Sequence, residues 1–265
     1  MSKFGQSNST PHAARSGPRH VAVIMDGNGR WARRKGQPRI LGHKYGAERV
    51  REIVEQAAQA GLEVLTLYAF SDENWRRPAD EVGAIMHLLE YYLRKERDEL
   101  NEKNIQFETI GDLSRLSPAI RRLLEETKVF LSGNTGLILN VAISYGGRAE
   151  MTRAMRGIAE KVARGELSPA QIDQDLISRH LDTAALPDPD LIIRTSGELR
   201  LSNFLLWQSA YSEFYFTDVM WPDFDRVEFQ KALLAYEQRE RRFGRASEFV
   251  AQPESPLSNS GARQC

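Results

Sequence analysis

Short apolar runs alternate with longer amphipathic segments along most of the 265-residue chain. The runs have the length of buried strands, and apolar residues recur at helical spacing in the segments that follow them. This alternation is typical of a parallel sheet, because each helix returns the chain to the edge where the next strand begins. We therefore predict one α/β domain with a central, mostly parallel six-stranded sheet flanked by helices. The predicted strands are 20–25, 64–70, 105–110, 137–144, 191–195 and 213–216, and the predicted helices are 45–60, 82–100, 118–131, 149–164 and 227–242.

The two ends of the chain lack this pattern. Residues 1–18 and 245–265 are rich in polar residues and proline, so we predict two disordered tails around one domain at 19–244. The 36 Lys and Arg residues equal the 36 Asp and Glu residues, and this balance is unlike that of a nucleic-acid-binding protein. We expect no nucleic-acid partner. Because Cys265 is the one cysteine, no internal disulfide can form, and a reducing cytoplasm is the expected location.

The turn after the first predicted strand has the composition of an anion site. Residues 26–32 read DGNGRWA, and their two glycines allow several backbone N–H groups to point towards one bound phosphate. The next helix adds the positive end of its dipole. Residues 27–47 contain six Lys or Arg residues and His43 but no acidic residue. A solvated basic face after a tight turn would have the same composition.

The same turn also satisfies a dinucleotide-binding fingerprint, G-x-G-x-x-G/A, through Gly27, Gly29 and Ala32. That fingerprint needs an acidic residue about 20 positions further on, at the end of the second strand. Glu48 lies within the first predicted helix and Asp72 lies too far along the chain. A nicotinamide-dependent oxidoreductase is therefore a weak alternative.

Five stretches hold charged and aromatic residues at fixed spacing. They read HVAVIMDGNGRWA at 20–32, SDENWRRP at 71–78 with Glu81 beyond it, IRTSGE at 193–198, RLSNFLLWQ at 200–208 and YSEFYFTDVMWP at 211–222. These stretches resemble the signatures of the undecaprenyl diphosphate synthase family, the bacterial cis-prenyltransferases. The resemblance implies a transferase that condenses isopentenyl diphosphate sequentially onto farnesyl diphosphate. Its product would be undecaprenyl diphosphate, the lipid carrier precursor for cell-wall polysaccharide synthesis.

The resemblance also implies a set of site residues. It implies Mg²⁺ as the cofactor with Asp26 and Glu213 as ligands, and magnesium often takes only one or two protein carboxylates beside water and phosphate. Asn74 joins Asp26 as a catalytic residue, and we interpret it as an orienting group because a neutral carboxamide is a poor base. The isopentenyl diphosphate is assigned to Arg194, Arg200 and Ser202. The other expected substrate-binding residues are Gly27, Asn28, Gly29, Arg30, Trp31, Arg39, His43, Ser71, Trp75, Arg77, Arg242 and Gly244.

Helix 82–100 carries an apolar stripe that suits a product tunnel. The resemblance places the tunnel between this helix and the sheet, with Ala47 and Ala69 near its mouth and Leu137 towards its floor. Arg242 and Gly244 match a motif that reaches across a homodimer. A peripheral contact with the membrane during product release is compatible with a lipid product.

One residue departs from the resembled family, and one alternative function shares its fold. Leu199 stands where some relatives of the resembled family carry histidine, and its effect is not evident from the sequence. A non-catalytic subunit of a heteromeric prenyltransferase would have the same fold, and it is the main functional alternative to an active enzyme. A trans-type prenyl synthase is excluded, because the chain has no D-D-x-x-D motif.

Overall fold

Six strands form one sheet in the order β3-β4-β2-β1-β5-β6, and every neighbouring pair is parallel. The structure is a computed structural model, and it describes residues 17–239. The predicted α/β fold is confirmed. Arg242, Gly244 and nearly all of both predicted tails lie outside the described residues. The strands are β1 His20–Ile24, β2 Val64–Ser71, β3 Gln106–Ile110, β4 Ile138–Tyr145, β5 Leu191–Arg194 and β6 Glu213–Phe216.

Helices cover both faces of this sheet. Within residues 17–239 they are α1 Asn28–Arg34, α2 Arg39–Gln59, α3 Ala79–Glu102, α4 Pro118–Leu131, α5 Gly147–Ala163, α6 Gln174–Ser178 and α7 Arg226–Glu237. Short 3₁₀ turns link them, including one at Asp72–Arg76. The structure adds α1 and α6 to the five predicted helices, and the largest differences in boundaries are the start of α2 and the end of α7. The turn at 26–32 already contains α1, and α2 begins six residues before its predicted start, because Pro38 and the glycines that follow hide the onset of helical periodicity.

The alternation of side chains along β1 explains how the core divides. All five residues of β1 are buried. Val21 and Val23 belong to the core cluster that also contains buried residues of α2, α3, α4 and α7, whereas Ala22 and Ile24 belong to the cluster on the opposite face. This two-residue period is the expected property of a strand buried on both faces.

The order of the strands creates a crevice at the carboxyl end of β1. The strand β1 pairs with β2 on one side and with β5 on the other, and the chain reaches β5 only after completing β3 and β4. Ligands bind parallel α/β sheets at such a point, where successive connections leave a strand in opposite directions. Asp26 follows β1 here, and Arg194 is the last residue of β5.

The helix α3 packs less tightly than its amphipathic sequence suggests. Leu93 is the one buried residue within its 24 residues. The other apolar residues of its inner face, such as Ile85 and Leu89, are partly buried: they pack against the core cluster and also line a cavity. The fold thus leaves open space between α3 and the sheet.

Candidate active site

A cavity of about 790 Å³ opens at the carboxyl ends of β1, β2 and β5 and continues between α2, α3 and the sheet. Its mouth is polar and its body is mainly apolar. The mouth brings together most of the site residues predicted from the sequence. They are Asp26, Gly27, Asn28, Gly29, Arg30, Arg39, His43, Ser71, Asn74, Arg77, Arg194 and Ser202.

Asp26 lies at the mouth in contact with two arginines. Its Oδ2 accepts a hydrogen bond from Nη2 of Arg194 at 3.0 Å and lies 3.2 Å from Nη2 of Arg30. Burial acts to raise the pKa of Asp26, but the hydrogen bond from Arg194 and the positive charges of both arginines outweigh it and hold the pKa below its usual value. The carboxylate is therefore ionised near neutral pH. Thr195 fixes its backbone, since Oγ1 accepts from the Asp26 amide at 2.9 Å and donates to the Asp26 carbonyl at 2.7 Å.

The phosphate-loop prediction corresponds to the junction of β1 and α1. Gly27 precedes α1 with φ of 103°, a left-handed conformation that favours glycine. A Cβ atom at Gly27 would also lie 2.5 Å from Oγ of Ser196. Two glycines of α2, Gly42 and Gly46, allow the carbonyl and the side chain of Asn28 to approach that helix closely. The start of α1 is thus held at the cavity mouth by contacts that tolerate no side chain.

Three basic residues of the mouth gather around one carboxylate, that of Glu81. Its Oε1 lies 2.9 Å from Nη1 of Arg77, 3.2 Å from Nη2 of Arg39 and 3.7 Å from Nε2 of His43. Burial, followed by the positive charge of Arg77, lowers the pKa of His43 to about 4. The imidazole is therefore neutral at pH 7. Its Nε2 is buried and has no hydrogen-bond partner within the described residues, so it is free to contact a ligand.

Two of the three residues expected to bind isopentenyl diphosphate lie together. Arg194 is 97% buried, and its Nη1 donates to Oγ of Ser202 at 2.8 Å and to the carbonyl of Arg200. The side chain of Arg200 pairs with Glu198 instead, is mostly exposed and does not line the cavity. Leu199 between them is 77% exposed. The structure therefore brings Arg194 and Ser202 to the mouth and leaves Arg200 on the outer side of the loop.

Asn74 and Ser71 form a reciprocal cap on the turn that follows β2. The amide of Ser71 donates to Oδ1 of Asn74 at 3.2 Å, while the Ser71 side chain caps the same turn. The Oδ1 atom of Asn74 is thus already engaged, and its NH₂ group is the part that a ligand can contact. This geometry is consistent with an orienting role and not with a base.

Two tryptophans expected to bind substrate do not line the cavity. Trp31 is 6% exposed and its Nε1 donates to Asp223 at 2.8 Å. Trp75 donates to Oγ of Ser144 at 2.9 Å and borders a separate, smaller cleft beside α3. Both rings hold the loops of the mouth in place through these hydrogen bonds, on the side away from the cavity. Contact of either ring with substrate stays a prediction.

The two expected magnesium ligands, Asp26 and Glu213, lie at opposite edges of the sheet within one chain. Ile24 of β1 is aligned with Arg194 of β5, and Arg194 is aligned with Phe216 of β6. Asp26 lies beyond this line towards the carboxyl edge, whereas Glu213 begins β6 at the amino edge and pairs with Arg239 at 2.8 Å. At about 3.3 Å per residue their Cα atoms are about 16 Å apart along the strands. Glu213 and Asp26 of the same chain therefore cannot share an ion.

Of the two expected magnesium ligands, the structure brings Asp26 to the mouth, where its neighbour Arg30 also pairs with Glu198. No group of three or more His, Cys, Asp or Glu residues with metal-binding geometry occurs within 17–239. The contacts of Asp26 with Arg30 and Arg194 oppose a bare cation beside it. They suit a cation that arrives with anionic phosphates, because magnesium commonly completes its shell with water and substrate phosphate.

The body of the cavity is apolar over most of its length. Ala47 and Ala69 line it as expected, and so do Leu89, Leu93 and other residues of α3. Leu137, the expected floor residue, is buried in the core and does not line the cavity. Leu139, two positions further along the same face of β4, lines it instead. A role for Leu137 at the floor of the tunnel stays a prediction.

Several functional contacts were not predicted from the sequence. Thr195 and Glu198 lie in a quoted motif, but nothing in their residue type indicated that they contact Asp26 and Arg30, respectively. Glu81 was noted without a role. The glycines Gly42 and Gly46 carry the one readable signal, since small residues four positions apart on a helix mark a close approach of backbone.

Comparisons with known proteins give a consistent picture. Residues 24–244 match the family described as putative undecaprenyl diphosphate synthase. The chain is 54% identical over 234 residues to an isoprenyl transferase of Agrobacterium fabrum, and the match covers 88% of this chain and 95% of the relative. It is 52% identical over 228 residues to ditrans,polycis-undecaprenyl-diphosphate synthase ((2E,6E)-farnesyl-diphosphate specific) of Escherichia coli K12, covering 86% and 90%.

A solved structure shares the fold. It is lavandulyl diphosphate synthase from Lavandula x intermedia in complex with dimethylallyl diphosphate, which superposes with a TM-score of 0.85 at 39% identity. The match covers 86% of this chain and 99% of that one.

Proposed function

Because the chain belongs to the undecaprenyl diphosphate synthase family, we propose that it condenses isopentenyl diphosphate sequentially onto farnesyl diphosphate and releases undecaprenyl diphosphate. One observation carries the proposal: a mouth rich in arginine opens directly into an apolar cavity of about 790 Å³. A prenyl diphosphate has the same two parts, a polyanionic head and a hydrocarbon tail. We further propose that the product serves as the lipid carrier precursor for cell-wall polysaccharide.

The head group of the allylic substrate fits the start of α1. Arg30, Arg39 and Arg77 line the mouth with the backbone of Gly27 to Gly29, and the guanidinium fork matches phosphate oxygens. The neutral His43 adds a donor or acceptor at its free Nε2. These groups bind the leaving diphosphate and orient the allylic carbon towards the second substrate.

The main barrier to prenyl transfer is the cost of the negative charge that develops on the leaving diphosphate while the allylic C–O bond breaks. A magnesium ion bound between Asp26 and the diphosphate would supply electrostatic stabilisation of that charge. Asp26 is held ionised and fixed by Thr195 for this role. Asn74 orients the reacting groups through its NH₂ group.

The isopentenyl diphosphate fits beside this site, at Arg194 and Ser202. Nε of Arg194 is buried and lacks a hydrogen-bond partner in the part of the chain that the structure describes, so it can donate to a phosphate. Arg194 also contacts Asp26 directly. The two anions can therefore bind next to each other with their reacting carbons at near-attack distance, as condensation requires. We propose that Arg200 joins them only after its pair with Glu198 opens.

A homodimer reconciles the expected magnesium pair with the geometry of one chain. If the ion has two carboxylate ligands, the second is the partner subunit's Glu213, since Glu213 of the same chain lies about 16 Å away along the strands. Arg242 and Gly244 would reach the same partner site.

We also propose that the enzyme is located in the cytoplasm, since Cys265, the one cysteine, has no partner for an internal disulfide. No helix within 17–239 is long and apolar enough to cross a membrane, and we propose a peripheral membrane contact for product release.

Neither alternative function gains support from a specific observation. A dinucleotide site needs an acidic residue about 20 positions after its glycines, whereas the acidic residues that follow β2, Asp72 and Glu73, lie about 45 positions after Gly27 and are engaged by Arg115 and Asn203. A non-catalytic subunit would not need Asp26, Arg194 and Ser202 in mutual contact, and here they are in contact. Catalysis by the chain itself is the simpler explanation of this arrangement.

The proposal is tested by incubating the purified protein with Mg²⁺, farnesyl diphosphate and labelled isopentenyl diphosphate and sizing the products by chromatography. We expect a ladder of prenyl diphosphates that ends near eleven isoprene units and disappears with EDTA. Turnover that requires a second, different protein would favour the non-catalytic subunit. Complete absence of labelled lipid under all these conditions would contradict the proposed activity.

A further inference from the structure

The side chains that α3 contributes to the cavity wall change from apolar to charged along the length of the cavity. The helices α2 and α3 both begin near the mouth and run in the same direction beside it. On the lining face of α3, Leu89 and Leu93 are followed by Glu96 and Glu99 at the same helical spacing. The far part of the cavity is therefore bordered by charged side chains, where a hydrocarbon-binding tunnel would be expected to stay apolar.

These charges form ion pairs that join α2 to the end of α3. Lys103 lies 2.6 Å from Glu55 and 2.5 Å from Glu99. Arg51 pairs with Glu99, and its Nε lies 3.8 Å from Glu96 and 3.5 Å from Glu55. We call these five residues the distal ionic cluster. All five line the cavity, so the cluster forms part of its wall and not merely an outer surface.

The distal ionic cluster lies at the end of the cavity opposite the phosphate-binding mouth. From Ile85 near the mouth to Glu99 the axis of α3 rises about 21 Å. Phe107, which lines the same region, is the second residue of β3 and so marks the amino edge of the sheet. The mouth, by contrast, follows the carboxyl ends of the strands. A chain that grows away from the mouth therefore advances towards the cluster.

We propose that the distal ionic cluster is a specificity determinant that stops chain elongation by closing the far end of the cavity. The inference rests on the proposed prenyl transfer. Hydrocarbon that advances into the cluster must displace water from charged groups or separate their pairs, and both are unfavourable. The side chains of the cluster are 18–49% exposed, so solvent lies behind them.

The ion pairs of the cluster join the last turns of α3 to α2, beside the packing of Leu100 against the core. Leu93 is the last buried residue before α3 ends at Glu102, and the cluster joins the segment beyond it to α2. Loosening the pairs frees their side chains to turn away from the end of the cavity, and the growing chain can then pass into the opened space. Products should become longer, while the chemistry at the mouth stays the same.

The test compares product ladders of the full-length protein and of Arg51→Met and Glu99→Gln. Arg51→Met keeps an unbranched side chain but removes the pairs with Glu55, Glu96 and Glu99. We expect both variants to shift the main product upward by at least one isoprene unit, with the rate of the first condensation within about twofold of wild type. The matched control is Arg94→Met, because Arg94 pairs with Glu90 at 3.0 Å on the same helix and does not line the cavity. Its ladder should match that of the wild type.

A second measurement varies the ionic strength, and its main readout is the wild-type protein, which does not depend on how the variants fold. At about 1 M salt the Debye length falls to about 3 Å and exposed pairs are screened, so the wild-type ladder should lengthen, and that of Arg51→Met should respond less. Unchanged or shorter products in both variants, or a wild-type ladder insensitive to salt, would overturn the inference while leaving prenyl transfer intact. A wild-type protein that makes no polyprenyl product would overturn the proposed function and this inference together.

Discussion

Substitution of Gly42 by alanine tests how closely the phosphate-binding turn must be held. Gly42 is buried in α2, and a Cβ atom there would overlap the backbone carbonyl oxygen of Asn28 and lie 3.2 Å from Cβ of Ala32. The carbonyl must withdraw by about 1 Å to restore van der Waals distance. Because the atom belongs to the backbone at the start of α1, the donors that face the diphosphate move with it.

The expected effect on stability is small and the effect on activity is large. Replacing a helical glycine by alanine stabilises the helix by about 1 kcal/mol, while overpacking at a closed contact costs about 1–3 kcal/mol. The net loss of up to about 2 kcal/mol corresponds to a fall in melting temperature of no more than about 8 °C for a domain of this size. A displacement of about 1 Å in positioning groups can lower kcat/KM by about 100-fold.

The assay is steady-state condensation with farnesyl diphosphate, together with a thermal melt of each protein. The matched control is Gly157→Ala in α5, where a Cβ atom would meet nothing within 4 Å. This control should melt about 2–4 °C higher and keep wild-type turnover. If Gly42→Ala stays folded and retains kcat/KM within about threefold of wild type, the close contact between α1 and α2 does not position the catalytic groups.

Three further experiments address the charges of the mouth and the expected magnesium ligands. Asp26→Asn should lower kcat by about 1,000-fold while diphosphate binding without metal is retained or tightened, since Arg30 and Arg194 lose an opposing charge; calorimetry and turnover together check this. Burial, followed by the charge of Arg77, lowers the pKa of His43 to about 4, so the folded protein binds fewer protons and should lose stability as pH falls from about 6.5 towards 4. His43→Gln should reduce this loss by about 2 kcal/mol at pH 5 in urea unfolding, and equal pH slopes would contradict a neutral buried imidazole. Refolding Asp26→Ala and Glu213→Ala together should restore about a quarter of wild-type sites if the partner subunit's Glu213 completes each site, whereas activity at the mean of the two mutants would reject a shared site.

The strands were predictable because burial on both faces leaves a simple pattern. The run VAVI within β1 has no polar position, and β5 begins with Leu-Ile-Ile, so length and β-branching suffice to identify them. The region between β1 and the body of α2 was less predictable. Its first helical turns carry basic residues and glycines in place of an apolar stripe, because they line the cavity mouth and contact a loop, not the core. The residues that build the mouth therefore lack the apolar periodicity from which helices are predicted.

The site was predictable as a set of motifs but not as a set of side-chain directions. Resemblance predicted that Arg194, Arg200 and Trp31 contact substrate, yet one points to the mouth, one to Glu198 and one into the core. Neighbouring residues of a loop with positive φ, as at Ser202 and Asn203, face in directions that residue type does not encode. Only the packing of the loop against the sheet determines them.

The magnesium pair shows how strand direction limits what one chain can do. In a parallel sheet the residue that begins a strand lies at the amino edge, and the residue after a strand lies at the carboxyl edge. Both strand assignments were predicted from the sequence, with Glu213 as the first residue of the last strand and Asp26 just after the first. Two carboxylates on one magnesium ion must each approach to about 2 Å, which a separation of about 16 Å along the strands forbids. Our proposal of a homodimer rests on this geometry, because the two carboxylates could hold one ion only if Asp26 of one chain met the partner subunit's Glu213.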